Sequence, residues 1–287
     1  MNESSTIDVF SNNQFIAIIQ ISLLSLTIFF SIAYTALILI QPTLRSNKLN
    51  WFTINVCLTS ALFSIMMLAM SIQQLLHILS GLSCRSQVYI IIMTACQLTY
   101  SHCVFAISRF LTIVYAHKRI FRSNLCLWIC MILGWLTALL IAVPYLFVDG
   151  FLCYTSEEIT FLSYYTLVTT LFLPIIIVTI CNARTLIFVR NSARRVHATV
   201  MDGQVSHKRD VFLVKITIGT FIVFIVGWTP SFSIELFNKS AYVPTILNEC
   251  FQILSALAVL CDVLLLVSTN QHVRTLLKNF AINIFRC

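Results

Sequence analysis

The sequence predicts an all-α membrane protein, a bundle of seven transmembrane helices, and three observations support this class. Of the 287 residues, 59% are hydrophobic and only 10% are charged, and the mean hydropathy is +0.93. A soluble domain has about 25% charged residues, so too few charges remain to cover a globular surface. The chain also contains seven apolar runs, each close to the roughly 20 residues that cross a bilayer as a helix. Finally, basic residues concentrate in alternate loops.

The seven apolar runs divide the chain into three parts. Backbone groups in lipid must be hydrogen-bonded internally, so each run is predicted to be a helix. An N-terminal segment, 1–14, precedes the bundle, 15–269, and a cytoplasmic tail, 270–287, follows it; apolar and polar residues alternate in the tail, which predicts a short amphipathic helix on the membrane surface. The predicted segments are 15–40, 51–79, 84–116, 125–148, 162–189, 211–237 and 243–269.

The third segment is the most polar of the seven. Between Arg85 and Arg109 it holds no other Lys, Arg, Asp or Glu, but it carries Ser, Thr, Tyr, Gln, Cys and His side chains. Such polar side chains are unfavourable on a helix surface that faces lipid. We therefore expect this segment to lie inside the bundle.

The basic residues predict the orientation of the chain. Sixteen of the 18 Lys and Arg residues lie in the first, third and fifth loops, the tail and the adjoining helix ends. Only Arg85 and Lys239 lie on the other side. The positive-inside rule then places the N-terminus outside the cell and the C-terminus in the cytoplasm, as in a multi-pass plasma-membrane protein. The net charge of +8 thus reflects an unequal distribution of basic residues between the two sides of the membrane, and the basic side is expected to contact anionic lipids. No nucleic-acid partner is expected.

Four residues on the predicted outer side carry possible modifications. Cys84, at the end of the third segment, and Cys153, in the second outer loop, both face an oxidising compartment, which favours a disulfide over two ordinary small residues. Asn2 and Asn238 begin Asn-x-Ser sequons, which are possible glycosylation sites or chance matches.

Short motifs occur in order along six of the segments. The third segment begins at Cys84 and holds Arg109 and Phe110 near its end, and the second segment holds Asn55 and Ser60. The remaining motif residues are Trp135 and Pro144 in the fourth segment, Phe172-Leu-Pro174 in the fifth, Phe224-Ile-Val-Gly227-Trp228-Thr-Pro230 in the sixth and Asp262 in the seventh. In this order and spacing the chain resembles a rhodopsin-like (class A) G-protein-coupled receptor, possibly a chemosensory or peptide receptor.

The resemblance implies a receptor that binds an extracellular ligand and signals to a heterotrimeric G protein by movement of helix six. Pro230 is expected to kink that helix beside Trp228, and Phe224 would repack in the motion. Arg109 would hold the inactive state and then contact the G protein. Ser108 stands where the family has an acid next to this arginine, which puts the usual local partner in doubt.

Asp262 is the one carboxylate deep in a predicted span. The family usually has an acid in helix two, where this chain has Ser60, and the two positions face each other in the family fold. A polar switch that hydrates a cation and a protonated, hydrogen-bonded structural residue both remain open for Asp262. Val263 and Leu266 stand where the family has proline and tyrosine, so the usual helix-seven switch is also in doubt.

The resemblance further implies a ligand pocket between the outer halves of helices three, five, six and seven. Ile91 stands where amine receptors have an aspartate, although Glu235 offers a different anchor for a cation. An apolar lining with a few hydroxyls suits a lipid-like, odorant or peptide ligand. The positions carried over are Ile91, Ile92, Ala95, Thr166, Thr170, Ser231, Phe232, Glu235, Gln252 and Ala256.

Three other classes compete with a coupled receptor. Enzyme chemistry is not expected, because no paired catalytic acids, metal-spaced histidines or Gly-x-Ser-x-Gly sequence is present, and no cofactor or metal is predicted. A transporter would show repeats and several intramembrane charges. A receptor-like protein with poor G-protein coupling remains an alternative, as does a small membrane transporter.

Overall fold

The computed structural model confirms the all-α architecture. It describes residues 3–46, 48–76, 84–115, 118, 123–147, 159–196, 218–234, 245–269 and 273, and every regular element among them is helical. The helices are α1 (Glu3–Ile40), α2 (Pro42–Arg45), α3 (Lys48–Leu76), α4 (Cys84–Val114), α5 (Asn124–Ala142), α6 (Pro144–Phe147), α7 (Ile159–Thr166), a π-helical segment (Leu167–Phe172), α8 (Leu173–Val196), α9 (Ile218–Ile234) and α10 (Thr245–Thr269).

These helices account for all seven predicted segments. Within the described ranges, six stretches are long and apolar enough to cross a membrane, and α9 is a shorter apolar helix. The predicted sixth segment, 211–237, runs past the described part of α9 at both ends. The first helix begins at Glu3 rather than at residue 15, so the helical conformation continues through most of the predicted N-terminal segment.

Helix α4 is the central helix of the bundle. It packs against α3, α5 and α8. Of its most apolar stretch, 78% is buried in the protein, against 22% for α1. Its buried side chains include Thr94, Gln97 and His102, which confirms the expectation that the polar third segment lies inside. Because α1 packs against both α3 and α10, the first and last spans lie side by side.

The outer surface of the bundle is apolar. Leu133, Leu140 and Phe147 are 56%, 69% and 78% exposed, although each is a large hydrophobic side chain. A continuous exposed apolar surface on this scale is unfavourable in water and marks contact with an apolar environment. These side chains are therefore suited to face lipid.

Prolines interrupt two of the spans. The fourth span divides at Val143, directly before Pro144, because proline has no N–H for the helical hydrogen bond and clashes with the preceding turn. In the fifth span Pro174 follows the π-helical segment, where the N–H of Leu173 donates to the carbonyl of Val168, five residues back. By contrast, α9 continues as a helix through Pro230.

Candidate functional site

A cavity of about 170 Å³ lies between the helices and is the candidate ligand pocket. Nine of the ten residues predicted from the sequence line it, and the tenth, Glu235, lies outside the described residues. The lining consists of Gln20, Leu24, Phe63, Met67, Met70, Ile91, Ile92, Ala95, Thr166, Thr170, Trp228, Ser231, Phe232, Gln252, Ser255 and Ala256.

Sequence reasoning missed the wall contributed by α1 and α3. Gln20 and Leu24 extend from α1, and Phe63, Met67 and Met70 extend from α3. No motif in the first two segments points to this wall. The one available signal was Gln20, a polar side chain in an apolar run that proves to be buried, since buried polar residues in a membrane span usually face the bundle interior.

The π-helical segment sets the position of the threonines in the pocket. Thr166 precedes it and Thr170 lies within it, and both are buried. The Oγ1 of Thr166 donates to the carbonyl of Leu162 at 2.7 Å and is also in contact with the hydroxyl of Tyr145. The extra residue in the π turn shifts the register of the span, and so determines which side chains after Thr166 face the cavity.

Aromatic rings extend from the pocket into the bundle along α9. Trp228 lines the cavity and stacks on Phe232, with ring centroids 5.7 Å apart, and on Phe224, at 5.5 Å. The ring of Phe63, on α3, meets Trp228 edge-on at 5.1 Å. The spacing of four residues places these α9 side chains on one helix face. We call Phe224, Trp228 and Phe232 the α9 aromatic stack.

A buried histidine and a buried aspartate meet at the inner end of this stack. The Nε2 atom of His102, on α4, lies 3.1 Å from Oδ2 of Asp262, on α10, and the side chains are 2% and 1% exposed. The contact is short but is not aligned as a hydrogen bond. The ring of His102 lies 5.6 Å from that of Phe224.

The sequence identified Asp262 but not its partner. His102 is the histidine in the membrane interior, yet it lies in a different span, 160 positions earlier, and no local pattern relates the two. Neither of the two roles expected for Asp262 included a contact with α4. The signal that was available is that two ionisable residues in the interior of a bundle tend to pair with each other.

Helices α9 and α10 approach closely beside Trp228. A Cβ atom added to Gly227 would overlap the Cβ of Ala258 and would lie 3.3 Å from the carbonyl oxygen of Leu254. Across the same contact the hydroxyl of Ser255 lies 3.1 Å from the carbonyl of Gly227 and 2.7 Å from the hydroxyl of Ser231. The absence of a side chain at Gly227 therefore permits this approach.

Asn55 links three helices through its side-chain amide. Its Nδ2 donates to Ser101 Oγ on α4 at 3.0 Å, and its Oδ1 accepts from the indole Nε1 of Trp135 on α5 at 3.0 Å. Both amide groups of this buried side chain are thus hydrogen-bonded, as buried polar groups usually are. The motif residues Asn55 and Trp135 are brought together here, whereas Ser60, although buried, makes no hydrogen bond through its hydroxyl to the described residues.

Arg109 is buried near the end of α4. It is 6% exposed, and its guanidinium carbon lies 4.2 Å from the centre of the Phe105 ring, a cation–π contact. Ser108 is half-buried, and Phe110 packs edge-on against Tyr115 at 5.8 Å. The arginine side chain is therefore held against α4 at the predicted cytoplasmic side.

The predicted outer-side modifications cannot be located in the described residues. Asn2, Cys153 and Asn238 lie outside them, as does the side chain of Cys84, which begins α4. The same is true of the predicted surface helix in the tail, of which only Val273 is described. These assignments stay predictions.

The chain is similar to a known family in sequence and to a known structure in fold. Its sequence matches the family described as 7 transmembrane receptor (rhodopsin family) over residues 31–270. The crystal structure of squid rhodopsin superposes with a TM-score of 0.81 at 16% sequence identity, over 96% of this chain and 87% of the rhodopsin chain. At this identity the likeness concerns the fold. No curated protein matches the sequence.

Proposed function

Since the chain belongs to the rhodopsin family of seven-transmembrane receptors, whose members are receptors and not enzymes, we propose that it binds an extracellular ligand in the cavity and activates a heterotrimeric G protein. It is a multi-pass membrane protein, and the family and fold fit a plasma-membrane location. The observation that supports the proposal best is the continuity from the cavity through the α9 aromatic stack to the His102–Asp262 contact.

The first step of the proposed mechanism takes place at Trp228. This side chain both lines the cavity and stacks on its neighbours in α9, so a ligand that contacts it changes the packing of the helix directly. Pro230 removes a hydrogen bond from the same turn, which lowers the cost of bending there. A ligand that fits better against one arrangement of Trp228 than against the other shifts the population toward that arrangement.

The second step takes place at the His102–Asp262 contact. Phe224 packs on His102, so an outward movement of the N-terminal half of α9 would uncover the imidazole. The contact joins α4 to α10, and a contact between two ionisable side chains with so little exposure is strongly affected by a change in its surroundings. We propose that it stabilises the inactive arrangement.

The last step takes place at the inner end of α4. Arg109 is the buried cation there and is the residue proposed to contact the G protein. Because Ser108 supplies no carboxylate beside it, other contacts must hold the arginine in place. The contact with the ring of Phe105 is one of them. The proposal therefore includes a weaker hold on Arg109 at this end of α4 than a neighbouring carboxylate would give.

Features on the outer side complete the proposal. A disulfide between Cys84 and Cys153 would fix the second outer loop over the cavity, and glycans on Asn2 and Asn238 would lie on the same side. A Cys153→Ser variant that keeps its surface level and thermal stability would argue against the disulfide.

Basal G-protein activation in cells tests the coupling. Wild type, Arg109→Ala and Arg184→Ala are compared at equal surface expression; Arg184 is an exposed cation on α8 and serves as the matched control. Activity that is lost only in Arg109→Ala supports coupling through the end of α4. Equal activity in all three would contradict that role for Arg109, and a wild type at the surface with no activity, basal or ligand-induced, would favour the poorly coupled alternative.

A further inference from the structure

Gln20 is the polar residue that α1 contributes to the cavity. It lies on the helix face that packs into the bundle, together with Leu24, Thr27, Ser31 and Tyr34, all of which are buried. The spacing of three or four residues places these side chains on one side of the helix. Gln20 is 7% exposed and lines the cavity beside Leu24. Its side chain is therefore directed into the bundle and not toward lipid.

The side-chain amide of Gln20 is open to the cavity. It makes no hydrogen bond to the described residues, and both its oxygen and its nitrogen keep accessible surface. By contrast, Oε1 of Gln97 on α4 is fully enclosed without a partner. Because Gln20 is more than nine-tenths buried and faces inward, the accessible surface of its amide belongs to the cavity that it lines. A ligand in the cavity can therefore reach this amide.

The hydroxyls of the lining already have partners within the protein. The Oγ1 of Thr166 donates to the carbonyl one turn back at 2.7 Å, and Oγ1 of Thr170 lies 3.4 Å from the Sγ atom of Cys96. The hydroxyls of Ser231 and Ser255 lie 2.7 Å from each other. Each hydroxyl has one hydrogen to donate, so these groups have less hydrogen-bonding capacity left for a ligand than the amide on α1.

A second amide lies on the neighbouring helix. Gln252, on α10, is half-buried, lines the cavity and makes no hydrogen bond to the described residues. Because α1 packs against α10, the two amides belong to adjacent walls of the cavity. The wall on α3, which also packs against α1, is apolar and consists of Phe63, Met67 and Met70. This side of the cavity thus combines amide groups with an apolar surface.

A glutamine amide is suited to a group that both donates and accepts hydrogen bonds. It has one acceptor oxygen and two N–H donors in one plane, and it can pair with a donor and an acceptor held side by side, as it does with the edge of adenine. A carboxamide or peptide group offers the same pair of functions. An ester, ketone or ether would accept from the N–H of Gln20 but leave its oxygen without a partner, which is unfavourable in a buried site.

We propose that Gln20 is a specificity-determining residue of the cavity and that the ligand carries an amide group, which pairs with Gln20 while an apolar part lies against Phe63 and Met67. Methionine side chains adapt their shape to such a part and make favourable contacts with rings. The inference rests on the proposed function, because it names the class of ligand that the receptor would respond to. It concerns one group of the ligand and leaves the charge of the rest open.

Thermal unfolding of the purified full chain with matched probe molecules tests the inference without any G protein. N-benzylacetamide and N-phenethylacetamide carry the amide. Benzyl acetate and phenethyl acetate have the same shape but an oxygen in place of the N–H, and butylbenzene has no polar group. A ligand that binds only the folded state raises the unfolding temperature. Each amide is expected to raise it more than its ester does, by an amount that corresponds to about three- to tenfold tighter binding, the effect of one hydrogen bond.

Variants on α1 assign the preference to Gln20. Gln20→Met keeps the length of the side chain without the amide, and it is expected to abolish the preference for amides while leaving the shift with butylbenzene unchanged. Gln20→Asn keeps an amide on a shorter side chain and should retain part of the preference. Gln14→Met makes the same change at an exposed position of the same helix and should leave every shift as in wild type.

The unfolding temperature without any probe separates recognition from a structural role. Because the amide of Gln20 makes no hydrogen bond to the described residues, Gln20→Met should unfold at the same temperature as Gln14→Met or higher. A Gln20→Met variant that unfolds at a clearly lower temperature, or does not fold, would show that the amide stabilises the protein, and this would overturn the inference.

Two further results would overturn it: amides that bind wild type no better than their esters, or a preference for amides that persists in Gln20→Met. The inference and the proposed function fail separately. If the amides bind through Gln20 but cells show no activation, the ligand class stands and coupling fails. If basal activity depends on Arg109 while amides are not preferred, coupling stands and the ligand class fails.

Discussion

The close contact between α9 and α10 gives a prediction that can be worked out from the structure. In Gly227→Ala the new methyl group would overlap the Cβ of Ala258. That Cβ is attached directly to the backbone of α10, so it cannot rotate away. The helices would have to separate, which would also lengthen the 3.1 Å contact between Ser255 and the carbonyl of Gly227. Overpacking typically costs about 1–3 kcal/mol, and the weakened hydrogen bond adds up to about 1 kcal/mol.

A gain in helix propensity opposes this loss. Replacing glycine by alanine inside a helix stabilises it by about 0.5–1 kcal/mol. The net effect of Gly227→Ala is therefore expected to be a destabilisation of about 1–3 kcal/mol. Gly227→Cys adds a larger side chain at the same point and should cost more.

Two other glycines provide matched controls. Gly219 lies on the same helix, and a Cβ added there meets no described atom within 4 Å, so Gly219→Ala should be neutral or stabilising by up to about 1 kcal/mol. At Gly134 the added Cβ would lie 3.0 Å from Cγ2 of Val104, the end of a side chain, so Gly134→Ala should fall between the two.

The assay is the unfolding temperature of the purified variants in one detergent, followed by loss of the monomer peak on size-exclusion chromatography. The expected order is Gly219→Ala highest, Gly134→Ala next and Gly227→Ala lowest. A Gly227→Ala variant as stable as Gly219→Ala would refute the reasoning, because it would mean that the two helices do not approach as closely as the structure has them.

Two further predictions concern buried polar contacts and use the same assay. Trp135→Phe removes the donor to Asn55 and should cost about 1 kcal/mol, whereas Trp128→Phe, at a site 47% exposed, should change stability by less than about 0.5 kcal/mol; equal losses would argue against the hydrogen bond. His102→Leu leaves the side chain of Asp262 buried without its partner on α4 and should cost about 1–3 kcal/mol, while adding Asp262→Leu should recover most of it; additive losses would contradict the pairing.

The spans and most of the pocket could be predicted from the sequence for physical reasons. In lipid the backbone must satisfy its own hydrogen bonds, so an apolar run of sufficient length determines a helix. The pocket positions came from the family resemblance, which the motifs anchor in four helices. Ile91 and Ala95, one turn apart on α4 and so on one helix face, and Ser231 and Phe232 on α9 line the cavity as that resemblance implied.

Other parts of the site depend on packing that the local sequence does not encode. The π-helical segment before Pro174 changes the register of the fifth span, yet a proline is equally compatible with a kink in an α-helix. The wall formed by Gln20 and Met67 depends on how α1 and α3 rotate against the bundle, which no motif in those segments determines.

One contact in the structure bears on the departures from the family motifs in helices two and seven. Ser60 stands where the family has an acid on helix two, and Val263 and Leu266 put the usual helix-seven switch in doubt. In the fold, the acid at Asp262 contacts His102 of the central helix instead, and Phe224 of α9 lies on that histidine. If this contact controls activation, then substitutions at His102 should change basal activity more than substitutions at Ser60, whose hydroxyl makes no hydrogen bond to the described residues. That result would support a switch at the contact between α4 and α10, whereas equal effects at the two positions would contradict it.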